Sequence, residues 1–422
     1  TALVTFKLVS TLIPVPGNIM LPWDGVLWLV VFVAGVLTTH TAVVLSFTVI
    51  VPTPSDKEGK FSLKYAKNAF KEIGEALRDK DTYHTVVMTS TVLPGSMRYG
   101  LMPILEEQSK KKCGSDFGLC YNPEFIALGS VIYDFLNPDF YLLGQYDEKS
   151  GDMLEIIHNQ VSKNNAPVKR MSIENAELAK ISLNSFVTLK ISFANMMAEF
   201  CEKIPGGNVD VISDALGMDK RIGRSYLTGG FGYGGPCFPR DNVALSYIAK
   251  ELNVDSSILV ANDKYNRSLP LRQILNFKEH FPLDSTIGVL GLAYKPSTHV
   301  TEESSGVDLC NKLAEDGYKV IGHDNLATNE AKKVLNSKVK ISNSLTEAIQ
   351  ECDVLIVTIA DNEYKEISTE QILMDKERVV IIDVWRVLPH LNSDSRIKYI
   401  PVGVNLENDF NSQHIINIYK NQ

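Results

Sequence analysis

The chain has 422 residues, 45% of them hydrophobic and 22% charged, with a formal net charge of −8. That length predicts two or three domains and a core large enough to need no disulfide staples. A mildly acidic chain of ordinary globular balance is not built for nucleic acid as its main partner. The six cysteines are Cys113, Cys120, Cys201, Cys237, Cys310 and Cys352. They form no CxxC pair and no His/Cys metal spacing, so no metal is expected. Scattered cysteines in a chain of this length point to a reducing, cytoplasmic setting.

The first fifty residues differ from the rest. Before Val51 the only formal charges are Lys7 and Asp24, and residues 25–54 hold no Asp, Glu, Lys or Arg. An apolar run of ~20 residues is long enough for a membrane span. A signal peptide fits poorly, because the start is not basic and the run is too long. Continuous Val/Ile/Leu runs are also how buried strands of a parallel sheet read. Residues 26–36 and 43–51 are expected to be two such strands. This reading is preferred to a membrane span because the next segment continues as an α/β protein. A stretch in the wrong reading frame is a third reading.

The segment 43–51 runs into Pro52-Thr53-Pro54-Ser55-Asp56, a strand stopped by turn residues. Residues 62–78 have helical periodicity, with Phe70, Ile73 and Leu77 on one side. A β-branched strand at 83–88 ends in the turn Ser90-Thr91-Val92-Leu93-Pro94-Gly95, and 97–111 reads as a second helix. Short strands are expected at 118–121 and 140–143. Strands alternating with helices predict a parallel α/β sheet.

Residues 174–203 are an uninterrupted helical pattern without Pro or Gly, stopped by Pro205-Gly206-Gly207. A helix at 209–216, a Gly-rich loop, and helices at 242–252 and 258–277 follow. The last third alternates again. A strand at 286–290 enters Gly291-Leu292-Ala293-Tyr294-Lys295, a helix covers 305–316, and a strand at 319–323 ends at Asp324. Further strands are expected at 354–358 and 379–383. That is a doubly wound nucleotide-binding pattern. The predicted fold is α/β, with two Rossmann-like doubly wound domains joined by a long-helix all-α spacer. The boundaries are 1–168 (with 1–43 atypical), 169–277 and 278–422.

The sharpest motif is Gly229-Gly230-Phe231-Gly232-Tyr233-Gly234-Gly235-Pro236-Cys237-Phe238-Pro239-Arg240-Asp241. Five glycines in seven residues let backbone approach a ligand closely. A cation next to a cysteine favours the thiolate, and Asp241 is placed to handle a proton or orient a water. A bare glycine loop with a core cysteine is the blander reading; the charged neighbours outweigh it. On the long helix Lys180 and Asn184 are four residues apart and share a face. They could stabilise an oxyanion, although a solvated polar face is the commoner meaning of such a pair. Asn122-Pro123-Glu124 and Ser90-Thr91 follow strands, where open α/β sheets bind ligands; each alone is weak. Gly291-Leu292-Ala293 is a degenerate cousin of GxGxxG. Lys295 is a point charge for a phosphate, and Asp324 stands at the usual ribose position of such a fold. Arg386 follows a strand, with a surface salt bridge as its plain reading.

Together these residues resemble the UDP-glucose/GDP-mannose dehydrogenase family, over about residues 44 to 410. The resemblance rests on Val51-Pro52-Thr53-Pro54, Ser90-Thr91-Val92, Asn122-Pro123-Glu124-Phe125, Ala176-Glu177-Leu178-Ala179-Lys180 with Asn184, Arg221-Ile222-Gly223, the Gly-rich loop through Asp241, and Gly291-Leu292-Ala293-Tyr294-Lys295-Pro296. It implies an NAD domain first, a helical dimer spacer, and a C-terminal domain holding the nucleotide of the sugar. It implies a four-electron oxidation with two NAD molecules in turn, by way of an aldehyde, a thiohemiacetal and a thioester. By the same resemblance Cys237 is the nucleophile, and Lys180 and Asn184 are the polar pair at the reacting oxygen. Asp241 is the proton-handling carboxylate, and Glu124 assists thioester hydrolysis. Thr91 holds a water and the cofactor, and Thr53 and Arg240 also lie at the cofactor. Arg221, acting across a homodimer interface, Phe231, Gly232, Tyr233, Gly234, Tyr294, Lys295 and Arg386 match nucleotide-sugar contacts.

Three departures fall on the cofactor side. No strand–GxGxxG–helix with a following ribose acid is readable before Val51, in a stretch shorter than the family's. Leu128 stands where a second Glu usually follows Asn-Pro-Glu, and Glu302 where an Arg usually contacts NAD. The expected substrate is UDP-glucose, with GDP-mannose or a UDP-N-acetyl sugar as the close alternative. A nucleotide-sugar-binding protein with a defective NAD half, and a membrane-anchored form using residues 25–51, are the readings from other classes.

Overall fold

Two six-stranded sheets carry the architecture of the described residues. The structure, a computed structural model, describes residues 22–23, 26–27, 29–36, 43–374, 376–405 and 409–420. The chain divides into two units. One runs to Leu183 and takes up Ala244–Asp255; the other holds Asn184–Val243 and Ser256 onward.

The first unit's sheet contains β1 (Leu29–Val36), β2 (Val43–Ile50), β3 (Thr85–Met88), β4 (Gly118–Tyr121), β5 (Tyr141–Gln145) and β6 (Val168–Ser172), in chain order. Strands therefore form where the uncharged runs predicted them, but β1 and β2 are antiparallel, with Leu29 opposite Ile50 and Val36 opposite Val43. The connection through 37–42 is far shorter than the dozen or so residues a parallel crossover takes. β2–β3, β3–β4 and β5–β6 are parallel, and β4–β5 is antiparallel. Every residue of β3 and β4 is buried, as strands covered on both faces must be. Helix α1 (Lys64–Arg78) buries Ala66, Ala69, Phe70, Ile73 and Leu77, a stripe at helical spacing. The expected helix at 97–111 is instead a π turn, Ser96–Leu101, that runs into α2 (Met102–Ser109). Helix α3 (Glu148–Val161) is opened by a capping box at Asp147 and Ser150.

Helix α4 (Ile173–Lys203) is the long helix, and α5 (Val209–Gly217), α6 (Phe238–Glu251) and α7 (Ser257–Lys278) follow. Helix α6 starts four residues earlier than its expected 242, and this matters for the site. Pro239 is tolerated there because the first turn of a helix has N–H groups without helical partners anyway. Arg240 and Asp241 are thereby helical residues.

The second unit's sheet holds β7 (Thr286–Leu290), β8 (Lys319–His323), β9 (Lys340–Ser342), β10 (Val354–Val357), β11 (Val379–Asp383) and β12 (Ile397–Pro401), with α8 (Ser305–Glu315) crossing from β7 to β8. The order is β9-β8-β7-β10-β11-β12 and every pairing is parallel. This is the doubly wound arrangement, with its switch point between β7 and β10. Among the described residues no helix is long and apolar enough to cross a membrane.

Candidate active site

In the first unit the C-terminal ends of β2, β3 and β4 carry the three short motifs. They are tied to one another. The Val51 N–H donates to the Ser90 hydroxyl at 2.8 Å, and the Thr53 hydroxyl donates to the Thr91 carbonyl at 2.9 Å. Asn122 donates from its backbone to Met88 and from its side chain to the Leu142 carbonyl, each within 2.9 Å. The Asn122 Oδ1 meets His158 Nε2 at 2.8 Å. Burial drives His158 down to about 4, so its imidazole is neutral and donates to Asn122. It also stacks on Tyr141, ring centroids 4.0 Å apart.

Glu177 is fully buried on α4 and accepts the backbone N–H groups of Gly95 and Met97 at 2.6 and 2.8 Å. It thereby fixes the turn after Thr91 to the long helix. One helical turn on, Lys180 donates to the Glu124 carbonyl at 2.6 Å and lies over the Phe125 ring. Burial pushes the Glu124 carboxyl up to about 7, with the Lys180 charge pulling it back. A carboxyl titrating near neutrality suits proton transfer.

In the second unit Cys237 immediately precedes α6. It is exposed, and the other five cysteines are buried. The N-terminus of a helix stabilises negative charge placed there. The Asp241 N–H donates to the Cys237 carbonyl at 2.9 Å. Its carboxylate is buried and accepts from the Asn184 amide at 2.6 Å, and from Arg240 at 3.2 and 3.3 Å. Asn184, Asp241 and the cysteine turn are thus brought together. Tyr294 flanks the same turn; a Cβ on Gly235 would fall 2.4 Å from its ring. Burial, then Cys237 and Tyr226, push the Tyr294 hydroxyl up to about 12. Lys295 lies 5.9 Å from the Tyr294 ring centroid.

Several expected ligand contacts are occupied by the protein itself. Phe231 and Tyr233 are buried, Phe231 in the core beside Phe277. The glycines face protein as well; a Cβ on Gly234 would stand 2.1 Å from the Glu303 carbonyl oxygen, and one on Gly232 2.4 Å from Asn266 Oδ1. What the loop can offer a ligand is therefore peptide groups. Arg386 has five N–H groups, and all five are used within the protein: two on Asp210 and one each on the Gly229, Val384 and Val402 carbonyls. It is a strut of this unit, with no donor left for a phosphate. Asp324 likewise accepts the N–H groups of Leu292, Ala293, Leu326 and Ala327. Four donors fill a carboxylate, so it holds the Gly291 turn and not a ribose. Arg221 is exposed and paired with Asp219 two residues before it.

The sequence reading passed over the residues that hold the loop. Asn195 accepts the Gly230 N–H at 2.9 Å and donates to the Phe231 carbonyl at 3.0 Å. Asn266 accepts from and donates to the Tyr233 backbone, both at 2.9 Å, and Gln273 donates to the Gly230 carbonyl at 2.7 Å.

Comparison with known proteins places the chain in a family. Residues 38–162, 174–268 and 288–390 match the NAD binding, central and UDP binding domains of the UDP-glucose/GDP-mannose dehydrogenase family. The UDP-glucose 6-dehydrogenase AglM of Haloferax volcanii is 34% identical over 78% of this chain and 77% of its own. The chain belongs to the UDP-glucose/GDP-mannose dehydrogenase family.

The UDP-glucose 6-dehydrogenase TuaD of Bacillus subtilis is 32% identical over 79% of this chain and 71% of its own. The GDP-mannose 6-dehydrogenase of Pseudomonas syringae pv. tomato is 32% identical over 76% and 75%. Among solved structures, the UDP-glucose dehydrogenase of Pyrobaculum islandicum is 30% identical with a TM-score of 0.75, covering 85% of this chain and 80% of its own. As a member of this family the chain is an NAD-dependent nucleotide-sugar 6-dehydrogenase, an oxidoreductase. Thr53 and Thr91 are bonded together at the C-terminal ends of adjacent parallel strands, where open α/β sheets take their ligands.

Proposed function

We propose that the chain oxidises the 6-hydroxyl of UDP-glucose to a carboxylate through a covalent thioester on Cys237. The observation that carries this reading is the exposed Cys237 thiol beside the buried Asn184–Asp241 pair. NAD supplies the hydride acceptor, twice per sugar. The first oxidation turns the alcohol into an aldehyde. Cys237 sulfur then bonds to the aldehyde carbon, giving a thiohemiacetal whose oxygen carries the developing charge. Asn184 and Lys180 serve that oxygen as hydrogen-bond donors. The second oxidation leaves a thioester. Water adds to its carbonyl, the C–S bond breaks, and the Cys237 thiol and the carboxylate are released. Glu124, titrating near 7, takes the proton from that water, and Asp241 handles the proton at the first alcohol. Covalent catalysis of this kind replaces one hard step by two easier ones.

Thr91, with Thr53, serves the nicotinamide side, and Arg240 the cofactor beside Asp241. The peptide groups of the Gly-rich loop, Tyr294 and Lys295 serve the nucleotide sugar. We assign residues 1–168, 169–277 and 278–422 to cofactor, spacer and nucleotide domains. We also propose a homodimer, in which Arg221 reaches the partner's site. Phe186, Phe193 and Phe200 support it, since all three are exposed on α4 at a spacing of seven residues.

The test is NADH absorbance with NAD and limiting UDP-glucose. Two NADH per sugar, abolished in Cys237→Ala, are expected. GDP-mannose and UDP-N-acetylhexosamines in parallel identify the sugar.

A further inference from the structure

The Gly-rich loop 229–235 has five glycines and no regular secondary structure. Glycine has the most conformational freedom to lose on folding, so such a loop does not hold one shape by itself. The structure supplies that shape from two helices. Along α4, Asn184, Thr188 and Asn195 are buried at relative positions 0, 4 and 11. Along α7, Asn262, Asn266 and Gln273 repeat those intervals. The stripes meet directly where the Asn262 amide donates to the Thr188 hydroxyl at 2.9 Å. Further along, Asn195, Asn266 and Gln273 turn to the loop and bond both peptide groups of its turns: the N–H groups of Gly230 and Tyr233, and the carbonyls of Gly230, Phe231 and Tyr233.

A side-chain amide offers a donor and an acceptor a few ångströms apart, which is also what a peptide group presents. Asn266 closes such a two-bond ring on Tyr233 alone. With Phe231 and Tyr233 side chains turned into the protein, the direction of each loop peptide is the property a ligand can meet.

We infer that Asn195 and Asn266 are positioning residues for the nucleotide-sugar reaction, setting the peptide directions of loop 229–235. The inference rests on the dehydrogenase reading above. Catalysis is steep in position: a 1 Å misplacement can cost about 100-fold in rate.

The experiment compares Asn195→Ala, Asn266→Ala, Asn195→Asp and Asn266→Asp in the full chain. The Asp variants keep the acceptor for the loop N–H and lose the donor. Two readouts are taken: steady-state turnover of UDP-glucose with NAD, and hydrogen–deuterium exchange of the peptide covering 229–237. The Ala variants are expected to exchange faster at Gly230 and Tyr233. Their kcat/KM for UDP-glucose is expected to fall about 100-fold, with the KM for NAD unchanged and partial recovery in the Asp variants. Unchanged exchange in folded Ala variants overturns the inference. So does faster exchange with kcat/KM within about twofold of the parent, well under the loss that misplacement brings. If an Ala variant does not fold, its Asp counterpart is judged by the same two criteria. If the parent turns over no nucleotide sugar, the dehydrogenase reading fails on its own, and exchange alone decides whether the amides set the loop.

Discussion

Arg386 and Asp210 meet edge to edge, Nε on one carboxylate oxygen at 2.7 Å and Nη2 on the other at 3.0 Å. Asp210 sits in the first turn of α5, where a helix end favours a carboxylate, and the Arg386 side chain is only 6% exposed. Lysine brings three donors where five are in use. Arg386→Lys keeps the charge but leaves carbonyls among Gly229, Val384 and Val402 without a donor, and is therefore expected to lower the unfolding free energy in urea by about 1–3 kcal/mol, the cost of unsatisfied buried acceptors. A variant of parental stability that has lost only nucleotide-sugar affinity would restore Arg386 to the ligand and remove its role as a strut.

Cys237 is the one exposed cysteine of six. A thiol-specific reagent should titrate one group rapidly in the native protein and six after denaturation. Cys237→Ala should leave no fast group. Two or more fast thiols in the native parent would contradict the burial of the remainder.

Glu124 and Glu177 are both pushed up to about 7, in each case mainly by burial. A carboxyl raised from 4.5 binds more protons folded than unfolded between those values, so stability falls as pH rises through about 4.5 to 7. Their contribution is complete below that window. The Glu124→Gln/Glu177→Gln double variant should flatten the fall in melting temperature across it. A parent whose melting temperature climbs from pH 5 to 7, and whose climb the double variant leaves intact, would contradict both shifts.

The same Glu124 value bears on the reaction. Release of product from the thioester should rise with pH up to about 7 and then level, because the ionised form takes the proton. In Glu124→Gln the acyl group should accumulate on Cys237 and appear as added mass on the intact protein. No adduct, with full turnover, would assign the hydrolysis to another group.

Gly235 has φ +80°, and a Cβ there would fall 2.4 Å from the Tyr294 ring. Gly235→Ala meets both the left-handed backbone cost, about 1 kcal/mol, and the clash. Tyr294→Ala removes the clash alone. The double variant should lose less stability in urea than the sum of the two single losses. Additive losses would show that Tyr294 does not define the space at Gly235.

Four strands of the second sheet were legible because they are buried β-branched runs closed by turns, as at 286–290 and 379–383; its two edge strands, β9 and β12, were not anticipated. Cys237, Asp241 and Asn184 were legible through the resemblance of their spacing. Four other features were not. The direction of β1 against β2 depends on the length of the connection, while an apolar run is the same for either direction. The π turn at 96–101 has no period of its own; Glu177, far along the chain, holds the N–H groups of Gly95 and Met97. Asn195, Asn266 and Gln273 were passed over because amides turned inward and amides turned to solvent look alike in a helical pattern. The interval they share with Asn184, Thr188 and Asn262 was the signal that could have found them. Arg386 looked like a ligand contact or a surface pair because sequence does not reveal how many of its donors are already spent.

The side chains that orient Gly230, Phe231 and Tyr233 in the Gly-rich loop are uncharged carboxamides. Carboxamides neither gain nor lose protons across the range in which proteins stay folded, and ions in solution screen them little. The shape of that loop should therefore be the same in dilute buffer and in molar salt, at pH 6 and at pH 9. Whatever acidity or ionic strength does to the rate would have to act elsewhere, through the charged groups given roles above, such as Glu124, Lys180, Asp241, Lys295 and the thiol, or through the charges of the substrate itself.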